Sequence, residues 1–298
     1  MSAEKLKIGY VPEHFSTPLY FAEKHFGLDA ELIPFPSGTG HMITSLRAGE
    51  IDVGVGLTEG WVAGLGKEGL EGDGGYRIVG TYVETPLCWA ISTGANREIN
   101  GIADLKDSKI GVSRIGSGSY VMGFVLADQQ GWLSSSSSPP FEVIPLQSFD
   151  KLRAAVNDST ADFFMWEHFT SKKYYDNGEI KKVGEIYTPW SSWKIVAKTG
   201  IGEGDQRLEE MFEKIDRGVR YFGDKKEESV RYISGKLDYS AADAREWLKT
   251  VEFAKSTKGV DVSVIEKTRE VLRKAGVIGE GGMKAEEMIG SQKGAQVP

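Results

Sequence analysis

Lys7-Ile8-Gly9-Tyr10-Val11 opens the chain as a short apolar strand with a glycine inside it, and Lys109-Ile110-Gly111-Val112 repeats that strand farther on. The segments beyond each copy repeat too, in the same order. Glu31-Leu32-Ile33-Pro34 returns as Glu142-Val143-Ile144-Pro145, and Ile51-Asp52-Val53 returns as Ala161-Asp162-Phe163. Three landmarks in one order predict two copies of a single α/β unit, each with its own parallel sheet. The copies differ in spacing, and the polar run from Ser134 to Ser138 with Pro139-Pro140 supplies the insertion that the second copy needs.

Outward from these landmarks, apolar strands are expected at 6–11, 30–35, 53–55, 78–83, 88–92, 109–113, 141–145, 163–166, 182–186 and 193–197, with helices between them. Thr17-Pro18 reads as a helix start, a hydroxyl cap followed by the one residue whose fixed φ suits the first turn. From about Asp205 the strands give way to amphipathic helices: Leu208, Met211, Phe212, Ile215, Val219 and Phe222 keep helical spacing, as do Val230, Ile233 and Leu237. The stretch from Gly279 to Pro298 is rich in Gly, Lys and Glu and reads as a frayed tail.

Composition narrows the function. The chain has 298 residues, enough for two lobes, and 40% of them are hydrophobic, enough for a core in each. A net charge of -7, with Lys and Arg scattered along the chain, argues against a nucleic-acid partner. No run is long and apolar enough for membrane insertion, and the N-terminal residues lack the apolar core of an export signal, so a cytoplasmic location is expected, or a periplasmic one if a leader has been removed. Cys88 is the single cysteine, which excludes an intrachain disulfide and multi-cysteine metal clusters. His14, His25, His41 and His168 show no metal-ligand spacing, so neither metal nor cofactor is expected.

Candidate chemistry gathers in the loops after strands, where open α/β sheets take their ligands. Four such loops are rich in small and hydroxyl residues: His14-Phe15-Ser16-Thr17, Ser37-Gly38-Thr39-Gly40, Gly56-Leu57-Thr58-Glu59-Gly60-Trp61, and Ser113-Arg114-Ile115-Gly116-Ser117-Gly118-Ser119. Glycines let the backbone approach a ligand, hydroxyls donate, and Arg114 completes an anion site. The same serines also suit plain helix capping. Trp61, Tyr82, Trp89, Trp166, Trp190 and Trp193 offer ring faces or ordinary core packing. Glu59 and Glu167 occupy similar places after the third strand of each copy, and either could receive a ligand amine or favour a helix start.

The series Lys7-Ile8-Gly9-Tyr10-Val11, Phe35-Pro36-Ser37-Gly38-Thr39-Gly40, Ser45-Leu46-Arg47-Ala48-Gly49-Glu50-Ile51-Asp52-Val53-Gly54 and Asp104-Leu105-Lys106-Asp107-Ser108-Lys109-Ile110-Gly111-Val112 resembles the substrate-binding proteins of sulfonate, taurine and thiamine-precursor ABC transporters. These belong to the type II periplasmic-binding-protein superfamily, and the resemblance covers about residues 5–276. It implies two α/β lobes joined by two crossover strands, with helices of the C-terminal region on the first lobe. One lobe would hold residues 1–85 and 195–298, the other 86–194. A small anionic or zwitterionic metabolite, sulfonate-like, pyrimidine-like or amino-acid-like, would sit between lobes that close on it. Contacts would come from His14, Ser16, Thr17, Ser37, Gly38, Thr39, Gly40, Thr58, Glu59, Tyr82, Thr85, Ser113, Arg114, Gly116, Ser117, Gly118, Ser119, Trp166 and Glu167.

Bacterial members carry an export signal or a lipid-anchor motif that this chain does not show, which leaves a transporter partner open. In this it is similar to intracellular fungal proteins of the same generic fold. An enzyme branch of the superfamily, the fungal thiamine-pyrimidine synthases, relies on a cysteine-rich motif that a lone Cys88 cannot assemble. The alternative is an enzyme of pyrimidine or thiamine-precursor metabolism with His14 or His41 as general base or a lysine for a cofactor Schiff base, although no lysine falls inside the candidate loops.

Overall fold

The computed structural model describes residues 4–70, 72–133, 140–201 and 204–293. The serine run at 134–138 lies outside them. The first part of the chain forms β1 (Leu6–Tyr10), α1 (Thr17–Phe26), β2 (Ala30–Pro34), α2 (Thr39–Arg47), β3 (Val53–Leu57), α3 (Thr58–Leu65) and β4 (Tyr76–Val83). Pro18 stands in the first turn of α1, as the sequence requires. β3 reads Val53-Gly54-Val55-Gly56 because the helices lie directly on it. A Cβ on Gly54 would come within 2.7 Å of the Trp61 ring, and one on Gly56 within 2.7 Å of Thr39 Oγ1.

The middle of the chain repeats the plan with β5 (Cys88–Gly94), β6 (Lys109–Val112), α4 (Gly118–Gln129), β7 (Glu142–Pro145), α5 (Phe149–Asn157), β8 (Phe163–Glu167), α6 (His168–Asp176) and β9 (Ile180–Tyr187). β10 (Trp193–Lys198) then returns to the first sheet, and α7 (Gln206–Asp224), α8 (Lys226–Lys236), α9 (Ala241–Trp247), α10 (Val262–Lys274) and α11 (Ala285–Met288) complete the chain. No helix among the described residues is long and apolar enough to cross a membrane.

The two sheets share one topology. Their strand orders are β2-β1-β3-β10-β4 and β7-β6-β8-β5-β9. In each, the first three strands pair in parallel and the fourth runs antiparallel to both its neighbours. The expected all-parallel sheets are therefore mixed. The reason lies in connectivity: β10 joins the first sheet only after the second has been built, and β5 enters the second straight from β4.

Side chains repeat along with the strands. Asp52 accepts from the Lys7 N–H at 2.9 Å, and Asp162 accepts from the Lys109 N–H at 2.8 Å. Each aspartate also pairs with a cation from its antiparallel strand or just beyond it, Lys198 for Asp52 and Arg97 for Asp162. The landmark aspartates thus lock the first strand of each sheet to the third.

The chain divides into two compact units: residues up to Thr85, Trp190–Glu270 and those from Ile278 onward in one, and Pro86–Pro189 with Val271–Val277 in the other. The return to the first unit comes at Trp190, ahead of the expected 195, because Thr58 bonds to the carbonyls of Ser191 (2.6 Å) and Ser192 (2.9 Å). The region from Gly279 is not a frayed tail through Lys293. Ala285 and Met288 are buried, and Gly290 N–H donates to Ile78 O at 2.9 Å. Composition gave no sign of this, since the segment is held mainly by backbone bonds that cover the otherwise open edge of β4. Thr81 N–H to Thr257 O and Gly259 N–H to Val79 O, both 2.9 Å, continue that cover.

Candidate functional site

In the first unit, the carboxyl ends of β1, β2, β3 and β4 and the start of β10 meet at one edge of the sheet, and the candidate loops are there. Most of their hydroxyls are already engaged. Ser16 donates to Glu13 O and Thr17 to His14 O, each at 2.7 Å. Thr39 accepts from the Leu57 N–H at 2.9 Å. Tyr82 donates to Phe15 O at 2.8 Å, and Thr85 accepts from the Glu252 N–H at 3.2 Å. Ser37 is exposed and Gly38 and Gly40 half-buried, so the turn after β2 presents the open backbone of this edge.

His14 is enclosed by the rings of Phe15, Tyr239 and Trp247, with centroids 4.2 to 4.5 Å away. That burial holds its pKa well below the usual value. The ring therefore packs among these side chains within the first unit. Glu59 is 1% exposed and accepts from Trp190 Nε1 at 3.1 Å, while its Oε1 meets no donor. Burial raises its pKa to about 7.

In the second unit, the loop after β6 and the end of β8 form the corresponding edge. Ser117 caps α4, accepting from the Tyr120 N–H at 3.4 Å, so the helix-capping reading of that serine holds. Ser119 lies 3.0 Å from Ser117 Oγ and accepts from the Ser113 N–H at 3.3 Å. Gly116 takes φ +76°, a left-handed turn that glycine permits at little cost. Arg114 is exposed, and beside it Ile115 is 60% exposed. Trp166 stacks on Phe149 at 4.9 Å and 18°. Glu167 is buried with its pKa raised to about 7, and its carboxylate accepts from the Thr170 N–H at 2.6 Å, capping α6.

Trp61, Trp89, Trp190 and Trp193 are all buried, so the packing alternative holds for these four. Lys194 is a residue that sequence reasoning missed. It is 1% exposed, donates to Ser191 Oγ, and burial lowers its pKa to about 7. The signal was available: a lysine between Trp193 and Ile195 in an apolar strand. It borders a groove of about 1000 Å³ in the first unit, lined also by Thr81, Glu84, Glu252, Asp261 and Lys293.

Comparison with solved structures sets these edges in a family. The chain shares 39% identity with the Candida albicans CA3427 gene product, over 99% of this chain and 100% of that one, with a TM-score of 0.85. That protein is described as defining a new family with the generic periplasmic binding protein fold. The chain belongs to this Ca3427-like family. A family model described as Ca3427-like PBP matches residues 89–186, within the second unit. The Ca3427-like fold extends to bacterial proteins at lower identity. The alkanesulfonate-binding protein SsuA from Xanthomonas axonopodis pv. citri, bound to MOPS, aligns at 15% identity over 95% of this chain and 97% of that one, with a TM-score of 0.77. The aliphatic sulphonate binding protein SsuA from Escherichia coli aligns at 18% identity over 100% and 96%, with a TM-score of 0.74. No curated protein matches the chain.

Proposed function

We propose that this Ca3427-like chain is a binding protein, and not an enzyme, for a small anionic or zwitterionic metabolite taken up at the carboxyl edges of its sheets. The observation that carries the reading is the loop from Ser113 to Ser119, where an exposed Arg114, a left-handed Gly116 and the hydroxyls of Ser117 and Ser119 surround the start of α4. A helix start supplies partial positive charge, and guanidinium adds a fork for a sulfonate or carboxylate. The sulfonate-binding proteins of the same fold support that ligand class, while pyrimidine-like and amino-acid-like ligands suit the same donors.

The enzyme alternative has one supporting observation, the amine of Lys194 held near neutrality. At 1% exposure it presents almost no surface to a substrate carbonyl, although it borders the groove of the first unit. The test is a melting-temperature screen against sulfonates such as MOPS and taurine, pyrimidines and amino acids. A binder raises the melting temperature with the logarithm of its concentration. Arg114→Ala should weaken an anionic ligand by about tenfold or more, consistent with a lost charge-assisted bond. A panel with no effect, together with turnover of any member, would reverse the assignment.

A further inference from the structure

We propose that Cys88, His168 and Glu185 form a site for a zinc-class divalent cation, with three protein donors and one coordination position left open. Their donor atoms all lie within 4.8 Å of one another. Three points so spaced stand at most about 2.8 Å from a common centre, and small side-chain rotations bring them to zinc bond lengths of roughly 2.0–2.3 Å. The fold produces this convergence from three separate elements. Cys88 opens β5 opposite Tyr187, and Glu185 lies two residues back along β9, so both side chains share one face of an antiparallel pair. Trp89 pairs with Glu167 at the end of β8, and His168 comes next as the first residue of α6.

The chemistry of the donors selects the ion. Thiolate and imidazole favour zinc and its neighbours, whereas magnesium and calcium take oxygen ligands. The corner already attracts positive charge: Lys182 Nζ forms an ion pair with Glu185 and stands 3.5 Å from His168 Nδ1. A divalent cation would displace that ammonium. Cys88 and His168 are half-buried and Glu185 is exposed, which leaves a way in. None of the three participates in the anion site proposed above, so the two readings stand or fall separately.

The test is titration of the chelator-treated full chain with cobalt(II), a spectroscopic stand-in for zinc. One equivalent should give the near-ultraviolet thiolate-to-cobalt band together with the visible envelope of a four-coordinate ion, and zinc should abolish both. Cys88→Ser should lose the thiolate band. His168→Ala and Glu185→Gln should each weaken binding by about tenfold or more, and Lys182→Met should tighten it by removing the competing ammonium. Because Cys88 is the single cysteine, alkylation reports on it alone, and equimolar zinc should slow its modification by at least about tenfold. A missing thiolate band, a band that survives Cys88→Ser, or alkylation unaffected by zinc overturns the proposal.

Discussion

The two sheets have the same strand order and the same aspartate clamp, yet their buried glutamates differ in place and in partner: Glu167 ends β8, where β3 has Leu57, and Glu59 lies two residues beyond Leu57, inside α3. Glu167 turns back onto its own helix and caps it through the Thr170 N–H. Glu59 leaves its helix and accepts from the Trp190 indole, with one oxygen facing no donor. The framework repeats while the carboxyls do not, and the surrounding unrepeated residues decide what each one does. A tryptophan at the return to the first sheet redirects one glutamate, and an open helix start retains the other.

The largest effect expected from breaking this comparison is a pH dependence. Each carboxyl is raised by burial from the usual 4.5 to about 7. Between those values it keeps its proton in the fold and loses it in the unfolded chain. Stability therefore falls as pH rises from about 4.5 and levels off above about 7, by roughly 3 kcal/mol per group. Urea unfolding should show Glu59→Gln more stable than the parent at pH 8 and matched to it at pH 4.5. Glu167→Gln should behave similarly, since its carboxyl is raised to the same value. Equal pH profiles for parent and both variants would contradict the burial argument.

A smaller effect sharpens the comparison at the clamps. Asp52→Ala and Asp162→Ala each remove a bond to a backbone N–H and one half of an ion pair, at a cost of about 1–3 kcal/mol. The loss should be larger at Asp52, whose side chain is 14% exposed against 24% for Asp162. The reverse order in chemical unfolding would mean that burial does not set the strength of the clamps. The smallest effect belongs to Ser117→Ala, about 1 kcal/mol from the lost cap of α4. Ligand affinity falling far beyond that loss would show the hydroxyl acting on ligand as well.

Much of the framework was legible in the sequence because repetition is visible there. Lys7-Ile8-Gly9 against Lys109-Ile110-Gly111 and Asp52 against Asp162 correspond to equivalent strands and equivalent hydrogen bonds. The antiparallel fourth strands were not legible, since an apolar run such as Trp193–Ala197 carries no sign of its direction. Nor was the ordering of residues 279–293, which depends on backbone bonds to β4 that leave no compositional trace. His14 was read by its place in a polar loop, while rings from α9, from the segment before it and from its own loop decide its environment. The cluster at Cys88 was invisible to spacing rules because its donors are separated by whole strands and helices.

The position of β10 between β3 and β4 bears on how the chain is born. During synthesis, β4 emerges from the ribosome with no neighbour in its own sheet, and the strand that will flank it is still more than a hundred codons away. Whatever lies between must be made first, so the N-terminal half waits, unfinished, for its centrepiece. A stop codon placed anywhere before residue 193 should thus yield a first unit that cannot complete itself.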